Sequence, residues 1–173
     1  FYGIPKHSEE PFYPKDAEKY RFEDGSGSAD FFVSLLDEGF HPLLLKTSWV
    51  KNHYKWIVWK LKNFDLSYPD RPRLLCYMNV LNELKYRAQV EILDAKRSCI
   101  RLLYERDHLN NAFMVLLVSD ILPREAEGDM IELTDGWYSV PTRIDPYLAE
   151  LVKNKQIKIG TKLKICNAQI DGE

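Results

Sequence analysis

Residues 49–60, WVKNHYKWIVWK, gather three of the chain's four tryptophans, three lysines and one of its four histidines. Metal ligation through His53 is the weakest chemistry on offer there, because no cysteine or second histidine stands at ligand spacing. The imidazole is expected instead as a hydrogen-bonded packing group. Catalysis has no better footing. The histidines are scattered at 7, 41, 53 and 108, no glycine-rich phosphate loop is present, and no Ser-His-Asp or Cys-His order has a recognisable context. No catalytic residue, metal or cofactor is therefore expected. Indoles and ammonium groups remain, and their chemistry is binding: rings to stack or anchor, cations to meet an acidic ligand.

A helix from about Pro42 to Asn63 would carry these groups, with Pro42 near its first turn. On a helical wheel they separate into three faces. Val50, Tyr54, Ile57 and Leu61 form an aliphatic side, Trp49, Trp56 and Trp59 a tryptophan side, and Lys51, Lys55 and Lys62 a narrow basic ridge between them. A simple surface helix has one apolar stripe. Two predict a helix sandwiched between bodies, with Trp49 and Trp56 in the core. A membrane-surface helix would instead need one broad apolar face opposite the lysines.

Around this helix, Ser28 is the expected N-cap of a short helix ended by Gly39. A second long helix is expected from an N-cap at Asn79, because Leu81, Leu84, Ala88, Ile92, Ala95, Cys99 and Leu103 recur at 3- and 4-residue steps. Lys85, Arg87, Lys96, Arg97 and Arg101 lie off that stripe and read as a solvated face. Residues 1–28, with Pro5, Pro11 and Pro14, read as an irregular arm.

Beyond residue 110 the period becomes that of strands. FMVLLVSDIL is a buried strand, MIELTDGWYSVPTRID a hairpin turning at Asp135-Gly136, and Asp145-Pro146 an N-cap and N1 proline opening a short helix. IKIGTKLKI then places Ile157, Ile159, Leu163 and Ile165 inward and lysines outward. The order strand, strand, strand, helix, strand is that of a small oligonucleotide/oligosaccharide-binding (OB) barrel. A fifth strand has no counterpart, so the barrel is expected to be open, truncated, or completed by another segment. The fold class is thus α+β, with an irregular arm over 1–28, a helical domain over 29–110 and an OB-fold over 111–173.

At 173 residues with a net charge of −2, the chain lacks the strongly basic balance of a self-sufficient nucleic-acid binder. The charge is segregated, however. Residues 1–40 carry net −5, residues 41–110 carry 13 basic and 7 acidic side chains, net +6, and residues 111–173 carry net −3. Such a basic middle suits an acidic partner. Cys76, Cys99 and Cys166 are odd in number and widely spaced, and are expected as buried, reduced thiols.

The segments HPLLLKTSWVKNHYKWIVWKL, VLNELKYR, RSCIRLLYERD, MVLLVSDI and IELTDGWYSV…IDPYLAELVKN…IGTKLKI occur here in the order of the C-terminal DNA-binding region of the breast cancer type 2 susceptibility protein family. The resemblance runs from about Ala29 to Gly172. It implies the end of a helical domain followed by the first of three OB-folds, in a nuclear mediator of homologous recombination that loads a recombinase through other parts of the parent protein. It also implies docking of a small, acidic, disordered protein, the deleted-in-split-hand/split-foot factor, across both domains. The family's clearest single-strand contacts lie in its second and third barrels, so single-stranded DNA is a secondary ligand here.

Mapped onto this sequence, the expected partner-binding set on the long helix is Trp49, Lys51, His53, Lys55, Trp56, Trp59, Lys60 and Lys62. Lys85, Arg87, Arg97 and Arg101 join it from the next helix, and Asp135, Trp137 and Tyr138 from the hairpin. Trp137 and Tyr138 point to opposite faces of a strand, so one should face outward. Lys158, Lys162 and Lys164, with Tyr138, are the candidates for single-stranded DNA. The rival reading is a stand-alone nucleic-acid-binding OB-fold with a helical brace.

Overall fold

The computed structural model describes residues 12–105, 113–122 and 128–166. They form two compact units that divide between Arg97 and Ser98. The division falls ahead of the boundary drawn after residue 110 from the change of period. The reason is Ile100, fully buried in the core of the sheet unit, which draws the last helical segment into that unit.

The first unit is helical. The N-terminal arm is not irregular throughout, because α1 (Pro14–Lys19) packs on the long helix and buries Ala17 completely. Residues 1–11 lie outside the described set. Helix α2 (Ser28–Asp37) is capped by Gly27, whose N–H is met by the Asp30 carboxylate at 2.8 Å, so Ser28 is its first residue rather than its cap. Helix α3 spans Thr47–Ser67. It starts later than the sequence predicts because the chain after Pro42 makes its own turn: the His41 carbonyl accepts from the N–H groups of Leu44 and Leu45. Ten of its 21 residues are buried, which makes it the spine of the unit. Tyr54 lies at the centre, its hydroxyl donating to the Tyr20 carbonyl at 2.9 Å, and burial raises its pKa. Phe31 stacks on Tyr77 at 4.4 Å beside it.

Helix α4 (Tyr77–Ala88) is capped by Cys76. Asn79 is inside it and sends its amide back to the Leu74 carbonyl. The expected long helix does not continue. Leu81, Leu84 and Ala88 are buried as the stripe requires, but a wide π-turn follows at Gln89–Leu93, closed by Asp94 N–H to the Gln89 carbonyl at 2.8 Å. Ala95 then takes a left-handed φ of 54°, which a non-glycine residue adopts at a cost, and the helix is broken.

The second unit opens with α5 (Cys99–Tyr104), capped by the Ser98 side chain. Its sheet is antiparallel in the order β3-β2-β1-β4, with β1 at Met114–Ile121, β2 at Met130–Thr134, β3 at Ser139–Arg143 and β4 at Lys162–Ile165. Helix α6 (Pro146–Lys153) lies between the third and fourth strands, with the Asp145 carboxylate accepting from Leu148 N–H as the Asp-Pro pair predicts. The fold is thus a helical domain joined to an OB-type domain whose described strands form an open sheet. Met114, Leu116, Val118, Ile131, Leu133 and Ile157 fill its core, from alternate positions along β1 and β2, but Leu117, Ser119 and Thr134 are buried as well, so the burial is not that of a one-sided sheet. The β2–β3 connection runs over 135–138, longer than a two-residue hairpin turn, with Gly136 at φ 86° supplying the left-handed residue.

Candidate functional site: a buried polar cluster, a cationic ridge and a lysine edge

One face of α3 holds a polar cluster that the wheel does not reveal. The π-turn swings Glu91 inward until it is 8% exposed. One of its oxygens accepts from the Trp49 indole at 3.0 Å and lies 3.2 Å from His53 Nε2. The other imidazole nitrogen, Nδ1, is 3.2 Å from Arg87 Nη1. A guanidinium can only donate, so Nδ1 accepts and Nε2 carries the proton. A neutral imidazole thus bridges a buried arginine and a buried glutamate, and the Trp49 ring lies 4.0 Å from it. His53 is a packing group, as expected. Among the described residues no group of three or more His, Cys, Asp or Glu side chains is placed to hold a metal ion.

Several expected contact residues are therefore removed from the surface. Arg87, read as part of a solvated face, is 3% exposed because its helix register aims it at His53. Trp56 and Trp59 are 0% and 4% exposed. Their indoles meet edge to face at 5.8 Å, with Trp59 donating to the Phe12 carbonyl at 2.9 Å and Trp56 to Asn52 at 3.2 Å. Trp49 is half-buried. Glu91 and Phe12 are structural partners that the sequence reading missed. The signal for Glu91 was an acid four residues after Arg87 on a helical period.

Of the three ridge lysines, Lys51 is held by an acid of its own unit, and the neighbouring Lys60 and Lys85 are held likewise. Lys51 pairs with Glu18 at 2.8 Å, and that contact lowers the Glu18 pKa. Lys60 pairs with Glu83 at 3.1 Å and Lys85 with Glu38 at 2.7 Å. Lys55 lies 4.2 Å over the Trp56 ring. Lys55 and Lys62 make no ion pair among the described residues. Arg97 is exposed and donates to the Glu91 carbonyl. Beside Glu38 an apolar cleft of about 310 Å³ opens, lined by Phe40, Leu44, Leu45, Ile92 and Leu93. Leu43, adjoining it in sequence, is 82% exposed and Leu44 is 56% exposed.

In the second unit, Asp135 is more than a turn residue. One oxygen accepts from Trp137 and Tyr138 N–H groups, both at 2.9 Å, and the other from Ile100 N–H at 3.0 Å. It therefore ties α5 to the β2–β3 loop. Tyr138 packs on the sheet core, with the Arg101 guanidinium 5.8 Å from its ring, while Trp137 is half-buried. The Arg101 side chain also donates to Glu105 at 2.6 Å. Lys158, Lys162 and Lys164 are exposed.

The cysteines differ from expectation. Cys76 and Cys166 are exposed, and Cys99 alone is largely enclosed. Burial, then the adjoining Asp135 carboxylate, pushes the Cys99 thiol up to about 12 from 9.0. At pH 8 this leaves about a thousandfold less thiolate than an unperturbed thiol. A thiol-specific reagent is expected to modify two cysteines rapidly and Cys99 only on unfolding; rapid loss of all three would contradict this enclosure. Because the folded-state value is raised, the contribution of neutral Cys99 to stability is full below pH 9 and is lost as the pH climbs towards 12.

Two family models match the chain. One described as BRCA2, helical, covers residues 20–95, and one described as BRCA2, oligonucleotide/oligosaccharide-binding, domain 1, covers residues 98–173. The chain is 36% identical over 176 residues to the protein BREAST CANCER SUSCEPTIBILITY 2 homolog B of Arabidopsis thaliana and 35% identical to homolog A. Each alignment covers 91% of this chain and 15% of the relative's length.

Proposed function

Since the chain belongs to the BRCA2 family, with that family's helical and first OB domains in tandem, we propose that it is a non-catalytic scaffold module of a nuclear homologous-recombination mediator. Its main ligand is a small, acidic, intrinsically disordered protein with contacts on each unit. Single-stranded DNA is a secondary ligand, and the recombinase is met by other parts of the parent protein.

The observation that carries this reading is the pairing of cations with an apolar cleft on the helical unit. An extended acidic chain needs lysines to steer it and apolar pockets to hold it. Ordering such a chain costs about 2–5 kcal/mol, which exposed charge pairs alone do not offset. Leu44 and Leu93 at the cleft supply burial, and Glu38 on its wall holds Lys85 in a pair that an incoming carboxylate can exchange into. The internal acids Glu18, Glu38 and Glu83 act as placeholders for the partner's.

Titrating the chain with the acidic partner and with oligo-dT at two salt concentrations tests the reading. Tight, salt-weakened partner binding with weaker DNA binding supports it. Strong, steeply salt-dependent dT binding without partner binding would establish the rival, a nucleic-acid-binding OB-fold with a helical brace. Reversing Lys51, which is exposed, and Lys55 and Lys62, which are half-buried, to glutamate is expected to weaken the partner about tenfold at low salt, at less than about 1 kcal/mol per solvent-accessible charge, with the cooperative melting transition retained. Unchanged affinity would make the ridge a solvated face.

A further inference from the structure

Lysines of this protein fall into two groups, those engaged by a carboxylate of their own unit and those, such as Lys55 and Lys62, that are not. Lys51, Lys60 and Lys85 each hold a carboxylate of the same unit. Lys162 and Lys164, on β4, make no ion pair among the described residues. β4 contains no acidic residue, and the single acid of β1, Asp120, lies past the irregularity between Val118 and Asp120. Across the β1–β4 pair Lys164 stands opposite the exposed Val115 and Lys162 opposite Leu117, which is only 3% exposed, so this face is open at its Phe113–Lys164 end and covered beyond it.

Apolar side chains share that face. Phe113, just ahead of β1, is 68% exposed and Val115 is 64% exposed. The Lys164 ammonium sits 4.2 Å over the Phe113 ring. Edge-strand lysines serving only to block aggregation would not be set around an exposed phenyl ring, which itself invites association. A ring flanked by unpaired ammonium groups is instead the pairing that single-stranded nucleic acids use: bases stack on the ring and phosphates track the cations. The two-residue repeat of a strand sets Lys162 and Lys164 about 7 Å apart, a step suited to successive phosphates of an extended strand. Lys158 sits in the turn entering the same pair, where Gly160 N–H bonds the Val118 carbonyl and Lys158 N–H the Thr161 hydroxyl.

We infer that the open end of this β1–β4 face, built on Phe113 with Lys164 and Lys162 along the edge strand, is a contact site for single-stranded nucleic acid, with Phe113 as the stacking ring. Tyr138 is not that ring, since it packs on the sheet core. The inference rests on the secondary-ligand reading above and gives that ligand a place.

The test is anisotropy of labelled oligo-dT against the 173-residue chain at several salt concentrations, with thermal melts to show that each variant folds. Phe113→Ala is expected to weaken binding at least about fivefold, the low end for a stacked base, and Phe113→Trp to restore it. Lys162→Gln with Lys164→Gln is expected to flatten the logarithmic salt slope by about 1.4, at about 0.7 per phosphate lost on a single strand. Binding of dT that none of these variants alters would overturn the location while leaving the secondary ligand in place. No binding of dT at any salt would overturn both. Loss of acidic-partner binding with dT unaffected would assign the face to protein and overturn the inference as well.

Discussion

Replacing Trp56 with alanine is expected to unfold the helical unit, not to loosen a ligand. The indole is fully buried on the central helix, in edge-to-face contact with Trp59 and with the Lys55 ammonium over its ring. Truncation removes the largest side chain that is fully buried among the described residues and leaves a cavity that neighbouring helices close only in part. Such a change costs about 3–5 kcal/mol, against a whole-domain stability of about 5–15 kcal/mol. It also removes the indole N–H that donates to the Asn52 side-chain oxygen at 3.2 Å. Circular dichroism melts of Trp56→Ala and Trp56→Phe separate the possibilities. A cooperative transition lost or shifted far down in the alanine variant, with the phenylalanine variant between, is the expected result. A wild-type melt combined with weakened partner binding would return Trp56 to the surface.

The second large effect is expected at Glu91. In Glu91→Ala the Trp49 indole N–H and His53 Nε2 lose the buried carboxylate oxygen that both face, and the imidazole that meets Arg87 loses that anchor. Leaving a buried donor without its acceptor costs about 1–3 kcal/mol, more where a charged group is involved, whereas replacing a buried polar set by apolar groups of similar size is often close to neutral. Glu91→Gln, which keeps an acceptor for Trp49 and His53, is expected to cost less. The double variant Arg87→Met, Glu91→Ala is expected to recover part of the loss, so a double-mutant cycle in urea should give a coupling of about 1–3 kcal/mol. Additive effects of the two single changes would mean that the groups do not act through the imidazole.

These residues also mark where the sequence stopped being legible. Strand order, the Asp145-Pro146 helix start and the body of α3 all follow from local rules: period, caps and turn residues. The break after Ala88 does not, because Ile92, Ala95 and Cys99 continue a helical spacing that the chain abandons. What ends the helix is tertiary: Glu91 is drawn towards Trp49 and His53, 42 and 38 positions away, and a wider turn accommodates the shift. Arg87 misled for the same reason, since a lone arginine at a helix surface is buried only if the fold supplies a partner. The lysines were legible as charge but not as availability, because Glu18, Glu83 and Glu38, which hold Lys51, Lys60 and Lys85, come from three other stretches of chain. The Phe113 face escaped because the sequence fixes which strand carries lysines, not which neighbouring strand lies beside them.

The tryptophan placement has an optical consequence. Trp49, Trp56 and Trp59 all belong to the helical unit, and Trp137 alone belongs to the OB unit. The indoles of the native protein, and with them its intrinsic emission, are therefore concentrated in one half of the molecule. Trp49, set against an imidazole and a carboxylate, is placed to be the quenched member of the three. A denaturation curve followed by fluorescence reads chiefly the helical unit, while the OB unit melts almost unseen unless the other indoles are first replaced by phenylalanine.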